Sequence, residues 1–191
     1  AILVNRDEAI AARAEIIREK GTDRSRFLRG ETDKYTWRDV GSSFLPSDLL
    51  AAVLMGQLEK LEEINGKRKR IYSYYYQSLS YLQDRGLLRL PVIPECCESN
   101  YHMFYIILNT IEERDRLMNS LKQNGIGAVF HYMPLHTSQM GYKLGYSAGD
   151  LPTTESMSGR LLRLPLFAEL DDTQLDYIIE NIYRIKDSHS I

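Results

Sequence analysis

Residues 112–136 read EERDRLMNSLKQNGIGAVFHYMPLH and combine an amphipathic helix, a glycine stop and a short strand. Leu117, Met118 and Leu121 fall on one stripe at helical spacing, which predicts a helix over residues 112–124. Gly125 can adopt the left-handed conformation that commonly ends a helix. The chain should therefore leave the helix at Gly125 and continue as a strand.

Two histidines lie where this strand should end. Val129 and Phe130 continue the strand, whereas Pro134 has no N–H to donate to a sheet. His131 and His136 consequently fall near the strand exit, in a Pro-bent loop that suits ligand binding. A single histidine is more often a hydrogen-bonded structural residue, so the pair alone does not define a site.

Helix and strand patterns alternate through the whole second part of the chain. From about residue 66 the pattern alternates helix, strand, strand, helix, strand, helix, strand and helix. This order predicts an α+β domain, with a layer of helices on a mostly antiparallel sheet. The predicted helices cover residues 67–83, 112–124, 153–160 and 171–184, and the strands lie at 87–90, 101–108, 129–131 and 161–164.

The first part of the chain has a different pattern. Residues 1–4 are an uninterrupted apolar run that predicts a buried parallel strand. A helix should follow from Asp7 to Gly21, and a further helix should run from Ser47 to residue 64 and break at Asn65-Gly66. No second strand–helix unit follows to complete a parallel sheet, so we expect the start of a larger protein to be missing.

Two polar loops separate these elements. Residues 21–46 are longer than the roughly 12–15 residues of ordinary structureless loops and carry interleaved arginines and aromatics. Such a loop fits a phosphate-bearing or nucleotide ligand, a subunit interface, or a surface loop held by its aromatic side chains. Residues 137–152 contain three glycines and predict a flexible lid.

Composition excludes several functions. The 24 basic and 26 acidic residues give a net charge of -2, and no basic field suited to nucleic acid is evident. Cys96 and Cys97 are adjacent and cannot close an ordinary disulfide loop, which favours a reducing compartment such as the cytoplasm. No metal-ligand spacing is present, and the longest apolar run is far shorter than the about 20 residues of a membrane span.

Three segments resemble one family. They read GSSFLPSDLLAA at 41–52, VFHYMPLH at 129–136 and LLRLPLF at 161–167. The chain is similar to the C-terminal half of sugar-nucleotide aminotransferases of the fold-type-I pyridoxal phosphate class. Residues 15–25 and 34–41 bring the resemblance nearest to TDP-4-keto-6-deoxyhexose transaminases, which make 4-amino-4,6-dideoxygalactose for surface polysaccharide.

The resemblance implies an α/β parent protein of the aspartate-aminotransferase type. Residues 1–64 would be the last strand and helices of its large cofactor domain, and residues 65–191 its small α+β C-terminal domain. The parent would be a homodimer with active sites shared between subunits, using pyridoxal 5'-phosphate and an amino donor such as glutamate. The Schiff-base lysine would precede residue 1, so this chain would hold no catalytic residue and would not transaminate alone.

The resemblance also assigns binding residues. Ser43 matches a position that reaches the partner's cofactor phosphate, and Ser42 beside it is a second cofactor-binding candidate, although Leu45 replaces the arginine common in the family. His131 and His136 match a paired motif on the substrate side, with His136 as the ligand and His131 as its support. The loop that reaches toward the neighbouring site is matched by Lys34, Tyr35 and Trp37.

Two other interpretations remain open at this point. The chain could be a noncatalytic α+β module that dimerises or docks to another protein. It could also be a small-ligand-binding domain that uses the histidine pair without a cofactor.

Overall fold

The computed structural model describes residues 7–187, and the chain divides into two compact units between Glu59 and Lys60. We refer to residues 1–59 as the N-terminal unit and to residues 60–191 as the C-terminal unit. The strand predicted at residues 1–4 lies outside the described residues.

The N-terminal unit contains three helices: α1 (Glu8–Arg18), α2 (Arg24–Leu28) and α3 (Asp48–Glu59). Helix α1 begins as predicted, because the Asp7 carboxylate accepts hydrogen bonds from the first free N–H groups, including that of Ala9 at 2.9 Å. Helix α2 lies inside the segment predicted to be structureless, so that prediction is wrong at this point. Its single turn is too short for hydrophobic periodicity to reveal.

Gly21 is the point where the loop of the N-terminal unit folds back. Its φ is the left-handed +79° expected of it, but α1 ends earlier than predicted, at Arg18, and Lys20 already has a positive φ of +61°. A Cβ atom at Gly21 would lie 1.8 Å from the Asp39 carbonyl oxygen, and one at Gly41 would lie 2.1 Å from the Gly21 nitrogen. The backbone around Asp39 and Gly41 therefore passes so close to the backbone at Gly21 that positions 21 and 41 both require glycine.

The C-terminal unit begins with the long helix α4 (Leu61–Asp84), which contradicts the predicted break at Asn65-Gly66. The interruption lies instead at Lys60, whose ψ of 10° is not helical. A glycine in a helix interior costs only about 1 kcal/mol. The burial of Ile71, Tyr75 and other residues on one face of α4 outweighs that cost.

The strands of the described sheet are antiparallel, as predicted, but there are three of them where the sequence predicts four. They are β1 (Phe104–Ile107), β2 (Val129–Phe130) and β3 (Leu161–Leu164), and β3 lies in the middle of the order β1-β3-β2. Phe104 pairs with Leu164, and Val129 pairs with Arg163. The strand predicted at 87–90 is reduced to one bridge between Arg89 and Ile107.

Helices α5 (Ile111–Gln123), α6 (Gln139–Lys143), α7 (Pro152–Arg160) and α8 (Asp172–Asp187) complete the unit. The prediction for α5 is confirmed at both ends: the Thr110 hydroxyl caps it by accepting the Glu113 N–H, and Gly125 follows it with a φ of +74°. The segment predicted to be a flexible lid contains the short helix α6, and a 3-10 turn, Leu135–Thr137, leads into it.

Among the described residues, the hydrophobic core lies in the C-terminal unit, where α8 packs against α4 and α5. Two tyrosines of α4, Tyr72 and Tyr75, pack in this core, and the fully buried Tyr75 donates its hydroxyl to the Pro165 carbonyl oxygen at 2.9 Å; Tyr76 and Tyr81 are exposed. The fully buried side chains at its centre are Ile71, Leu79, Leu82, Phe104, Ile106, Leu121, Leu162, Leu175 and Ile182.

Within residues 7–187, none of the helices is both long and apolar enough to cross a lipid bilayer.

Candidate functional site

His136 is the most buried of the histidines in the described chain and lies at the start of the loop after β2. It belongs to the 3-10 turn Leu135–Thr137, and only 6% of it is exposed. Its Nε2 lies 2.8 Å from Oε1 of Glu155, which projects from the first turn of α7. The turn and α7 therefore hold the imidazole from two sides.

The Glu155 carboxylate is the group that fixes His136. The hydrogen bond from His136 is the largest cause of a lowered pKa at Glu155, and the Gly149 N–H, at 2.8 Å from the same oxygen, is the second. Sequence reasoning missed this residue. The sequence predicts only a helix over residues 153–160, and a partner 19 residues away leaves no periodic signal.

A pocket of about 570 Å³ lies beside His136. Its wall is mostly apolar, with a few polar groups, which is the composition expected of a small-molecule site. The lining residues are Leu135, His136, Ser138, Met140, Gly141, Leu144, Tyr146, Leu151 and Thr154.

His131 is half-buried at the end of β2, as its sequence position predicts. Its Nδ1 is shielded from solvent and has no hydrogen-bond partner among the described residues, while its ring contacts that of Tyr132 at 5.3 Å between centroids. No hydrogen bond joins His131 to His136 in this part of the chain; the partner of His136 is Glu155. An unpaired buried nitrogen is costly, so His131 is suited to bind a further polar group.

Ser42 and Ser43 lie on the segment that runs back along the end of α1. The Ser42 N–H donates to the Ile17 carbonyl at 3.0 Å, and Ser43 forms a bridge with Glu19. Both side chains are exposed, and their hydroxyls make no hydrogen bond to the described part of the protein. The backbone is thus fixed while both hydroxyls remain available as donors.

Lys34, Tyr35 and Trp37 lie together on the same loop. The Tyr35 ring packs against that of Phe27 with centroids 5.6 Å apart, whereas Trp37 is 79% exposed although its backbone bridges Thr22. Lys34 is exposed. An indole held in place by its backbone but left in solvent is typical of a contact surface.

The arginines of this loop serve a structural role. The clearest pair joins Arg38 Nε to the buried carboxylate of Asp23 at 2.6 Å, and Asp23 also accepts the Thr36 N–H at 2.6 Å. These contacts lower the pKa of Asp23, the Thr36 hydrogen bond being the larger cause. The other ion pairs are Arg13–Asp39, Arg24–Glu19, Arg26–Glu31, Arg29–Glu15 and Arg29–Glu31.

The candidate residues fall into two groups, one in each compact unit. His131 and His136 belong to the C-terminal unit, whereas the lysine, the two aromatics and the two serines belong to the N-terminal unit. Among residues 7–187, no cluster of three or more histidine, cysteine or acidic side chains could hold a metal ion.

The helices, the three-stranded sheet and the buried histidine agree with one family of enzymes. A model of the DegT/DnrJ/EryC1/StrS aminotransferase family matches residues 1–183. The chain belongs to this family.

Individual relatives cover the chain almost completely. The "Pleiotropic regulatory protein" of Geobacillus stearothermophilus is 27% identical over 182 residues, which is 95% of this chain. DesV of S. venezuelae, solved in complex with a ketimine intermediate, is 27% identical with a TM-score of 0.80 over 96% of the chain. The putative sugar aminotransferase Spr1654 of Streptococcus pneumoniae, in its PLP form, shares the fold at 22% identity, with a TM-score of 0.82 over 98%.

The chain spans less than half the length of these relatives: 45% of the Geobacillus protein and 46% of DesV and of Spr1654.

Proposed function

We propose that the intact protein is a pyridoxal phosphate-dependent aminotransferase that transfers an amino group to a TDP-4-keto-6-deoxyhexose for surface polysaccharide. The observation that carries the proposal is the family match over residues 1–183. The description of Spr1654 as a putative sugar aminotransferase and the ketimine complex of DesV agree with amino transfer to a sugar and with chemistry on an amine-linked intermediate.

The residues of this chain fit the cofactor at its phosphate end. The exposed hydroxyls of Ser42 and Ser43, which have no protein partner in the described residues, are donors of the kind that bind phosphate oxygens. Bound pyridoxal phosphate supplies the electron sink that transamination requires. By the same resemblance, none of the lysines of this chain corresponds to the Schiff-base lysine that holds the cofactor. Residues 1–191 alone should therefore not transaminate.

His136 and its surroundings fit the sugar. A buried imidazole fixed by Glu155 can exchange hydrogen bonds with a sugar hydroxyl or a diphosphate oxygen without losing much side-chain entropy. His131 has an unpaired nitrogen for a second such contact. Lys34, Tyr35 and Trp37 are proposed to reach a nucleotide sugar in the neighbouring active site.

A homodimer with shared active sites is part of the proposal. Helix α3 exposes apolar side chains around much of its circumference: Leu49 is 81% exposed and Val53 is 66% exposed. A contiguous apolar surface of this kind is typical of a protein interface. The exposed free thiols of Cys96 and Cys97 favour a cytoplasmic location.

The test is product analysis with the full-length protein, pyridoxal phosphate, glutamate and a TDP-4-keto-6-deoxyhexose. Mass spectrometry should detect the 4-amino-4,6-dideoxyhexose nucleotide, and NMR coupling constants should identify its epimer. If the keto-sugar remains unchanged while other keto-sugar nucleotides are aminated, the proposed substrate is wrong but the reaction class stands.

The His136→Ala variant of the full-length enzyme should raise KM for the keto-sugar about tenfold, the effect of losing one well-made hydrogen bond. Cofactor binding should survive, because His136 is not assigned to the phosphate. His102→Ala is the matched control, since His102 is exposed and bonds only within its own loop, to Asn100. Equal KM values in the two variants would remove His136 from the site.

The Ser43→Ala variant should instead weaken cofactor binding several-fold and leave KM for the sugar unchanged. Fluorescence titration of the apoenzyme with pyridoxal phosphate measures this. Ser147→Ala, in a loop not assigned to the cofactor, serves as the control. Unchanged affinity in Ser43→Ala would exclude a contact between Ser43 and the phosphate.

A noncatalytic role is the second candidate, because the Geobacillus relative is named a regulatory protein and α3 offers a surface for dimerisation or docking. A full-length protein that dimerises but binds no cofactor would favour this alternative. A keto-sugar nucleotide that binds the full-length protein although pyridoxal phosphate does not would favour the third interpretation, a small-ligand-binding domain that uses the histidine pair.

A further inference from the structure

One carboxylate oxygen connects three segments around the proposed sugar site. Oε1 of Glu155 accepts hydrogen bonds from His136 in the 3-10 turn and from the Gly149 N–H in the following loop, both at 2.8 Å. Glu155 itself is anchored by α7 and is half-buried. Any movement of this carboxylate must therefore move both the imidazole and the loop.

The ionisation state of Glu155 determines which His136 nitrogen carries hydrogen. The His136 hydrogen bond and the Gly149 N–H both lower the pKa of Glu155, so it is an anion at neutral pH. A carboxylate only accepts hydrogen bonds, so the His136 Nε2 must be the donor. In the neutral ring, Nδ1 is then left with a lone pair.

We propose that Glu155 is a positioning residue that holds His136 in the Nε2–H tautomer, so that Nδ1 accepts a hydrogen bond from a hydroxyl of the sugar. This inference rests on the proposed function, because it assumes that His136 contacts the nucleotide sugar. A lone pair on Nδ1 limits the groups that His136 can bind. It attracts a hydroxyl hydrogen and repels a diphosphate oxygen, which has no hydrogen to donate at neutral pH. His136 therefore recognises the sugar ring.

The test uses four full-length proteins: wild type, Glu155→Ala, His136→Ala and the double variant. Glu155→Ala should raise KM for the keto-sugar about tenfold with kcat retained, since it removes binding rather than chemistry. In the His136→Ala background the Glu155 substitution should add little, because its effect passes through the imidazole. If the two substitutions instead raise KM by independent factors that multiply in the double variant, the proposal is overturned.

A conservative variant distinguishes a role of Glu155 in orienting His136 from a role in stabilising the fold. Glu155→Gln keeps an oxygen that accepts from Nε2, so it should recover most of the lost affinity, whereas a purely structural role of the negative charge predicts no recovery. Glu95→Ala, an exposed acid in another loop, controls for general effects of removing a carboxylate.

Nitrogen-15 NMR of the histidine rings tests the tautomer without any substrate. In the pH range where the ring is neutral, wild-type His136 should show the Nε2–H pattern, and Glu155→Ala should show a mixture of tautomers. A wild-type mixture overturns the positioning role of Glu155. The expected pattern combined with unchanged KM in His136→Ala would instead overturn the sugar contact and leave the positioning intact.

A second and independent observation concerns Cys96 and Cys97. Both thiols are exposed, and their Sγ atoms lie 3.9 Å apart in a turn closed by a hydrogen bond from the Cys97 N–H to the Pro94 carbonyl. A disulfide would require about 2.05 Å between the sulfurs and a Cα separation above about 4.4 Å. Consecutive Cα atoms lie only about 3.8 Å apart, so the reduced dithiol is the relaxed state.

The geometry points to a chelating dithiol that binds a trivalent organoarsenical. With phenylarsine oxide, both arsenic–oxygen bonds break, two arsenic–sulfur bonds form, and the two thiol protons leave with the oxygen as water. No atom changes oxidation state. Soft sulfur ligands suit trivalent arsenic. Two sulfurs suffice, because the phenyl group is the third of the three groups bonded to the arsenic.

Intact-mass analysis of the full chain tests this site. One phenylarsenic adduct should form, survive a large excess of glutathione, and be released by dithiothreitol, because only a dithiol competes with a chelate. Cys96→Ser and Cys97→Ser should each lose the glutathione-resistant adduct. A wild-type adduct that glutathione removes, or one that persists in either serine variant, would overturn the chelate.

Discussion

The two compact units are stabilised in different ways. The C-terminal unit has a continuous apolar core built by α4, α5, α8 and the sheet. In the N-terminal unit, none of the residues of α1, α2 or α3 is buried, and the loop depends on ion pairs, backbone hydrogen bonds and close glycine contacts. Apolar burial dominates stability, whereas exposed ion pairs contribute little. The C-terminal unit should therefore be the stable one, and the N-terminal unit should depend on whatever covers its exposed apolar surface.

The largest expected effect comes from the core. Phe104 is fully buried between the aromatic rings of Tyr72 and Tyr75. Phe104→Ala should destabilise the C-terminal unit by about 3–5 kcal/mol, because it removes apolar contacts and leaves a cavity. Urea denaturation monitored by circular dichroism measures this, with the exposed Val92→Ala as control. Similar midpoints for the two variants would show that the core assignment is wrong.

Gly21→Ala should disrupt the N-terminal unit while leaving the C-terminal unit folded. The new Cβ would meet the Asp39 carbonyl oxygen, a backbone atom that cannot move without breaking the loop. Gly30→Ala is a matched control, because Gly30 also has a positive φ, of 74°, but nothing lies within 4 Å of its Cβ position. The control should lose only about 1 kcal/mol from backbone strain.

Hydrogen exchange of residues 20–44 distinguishes the two glycine variants. Rapid exchange in Gly21→Ala with protection retained in Gly30→Ala is the expected result. Equal exchange in both would mean that backbone conformation alone, without the close approach, determines the loop.

A smaller effect should appear on acidification. The Thr36 N–H and Arg38 hold the pKa of Asp23 below its ordinary value of 3.8. The folded-state pKa is thus lower than the unfolded one, so the ionised carboxylate stabilises the unit above the unfolded pKa, and this contribution is lost as pH falls through the folded pKa. The protection factors of residues 20–39, which correct exchange rates for the intrinsic effect of pH, should therefore fall on acidification below about pH 4.

Asp23→Asn provides the control for this acid effect. Its amide oxygen can still accept the Thr36 N–H but does not titrate between neutral pH and strong acid. The protection factors of residues 20–39 in Asp23→Asn should consequently depend less on pH than those in the wild type. The same pH dependence in both proteins would assign the effect to another carboxyl group.

The sequence predicts the fold best where local signals agree with burial. Leu117, Leu121 and Gly125 define α5 and its end because helical periodicity, a buried stripe and a left-handed glycine coincide. The break expected at Asn65-Gly66 fails because local propensity there is weaker than the packing of α4. The position of that break could not be read from residue preferences alone.

The candidate site is predictable only in part. His131 and His136 are visible as a pair after a strand, but their partners depend on contacts distant in sequence. Glu155 reaches His136 from another helix, and Asp23 holds Thr36 and Arg38 from across a loop. No periodicity or spacing records such contacts, so only the folded structure reveals them.

The absorbance spectrum of the full-length protein tests the central claim most directly, namely that this chain is part of a pyridoxal phosphate-dependent aminotransferase. After incubation with the cofactor and removal of the excess, a visible band of enzyme-bound pyridoxal phosphate should appear, and glutamate or another amino donor should bleach it. A protein that folds and dimerises but shows no such band would contradict the proposed function.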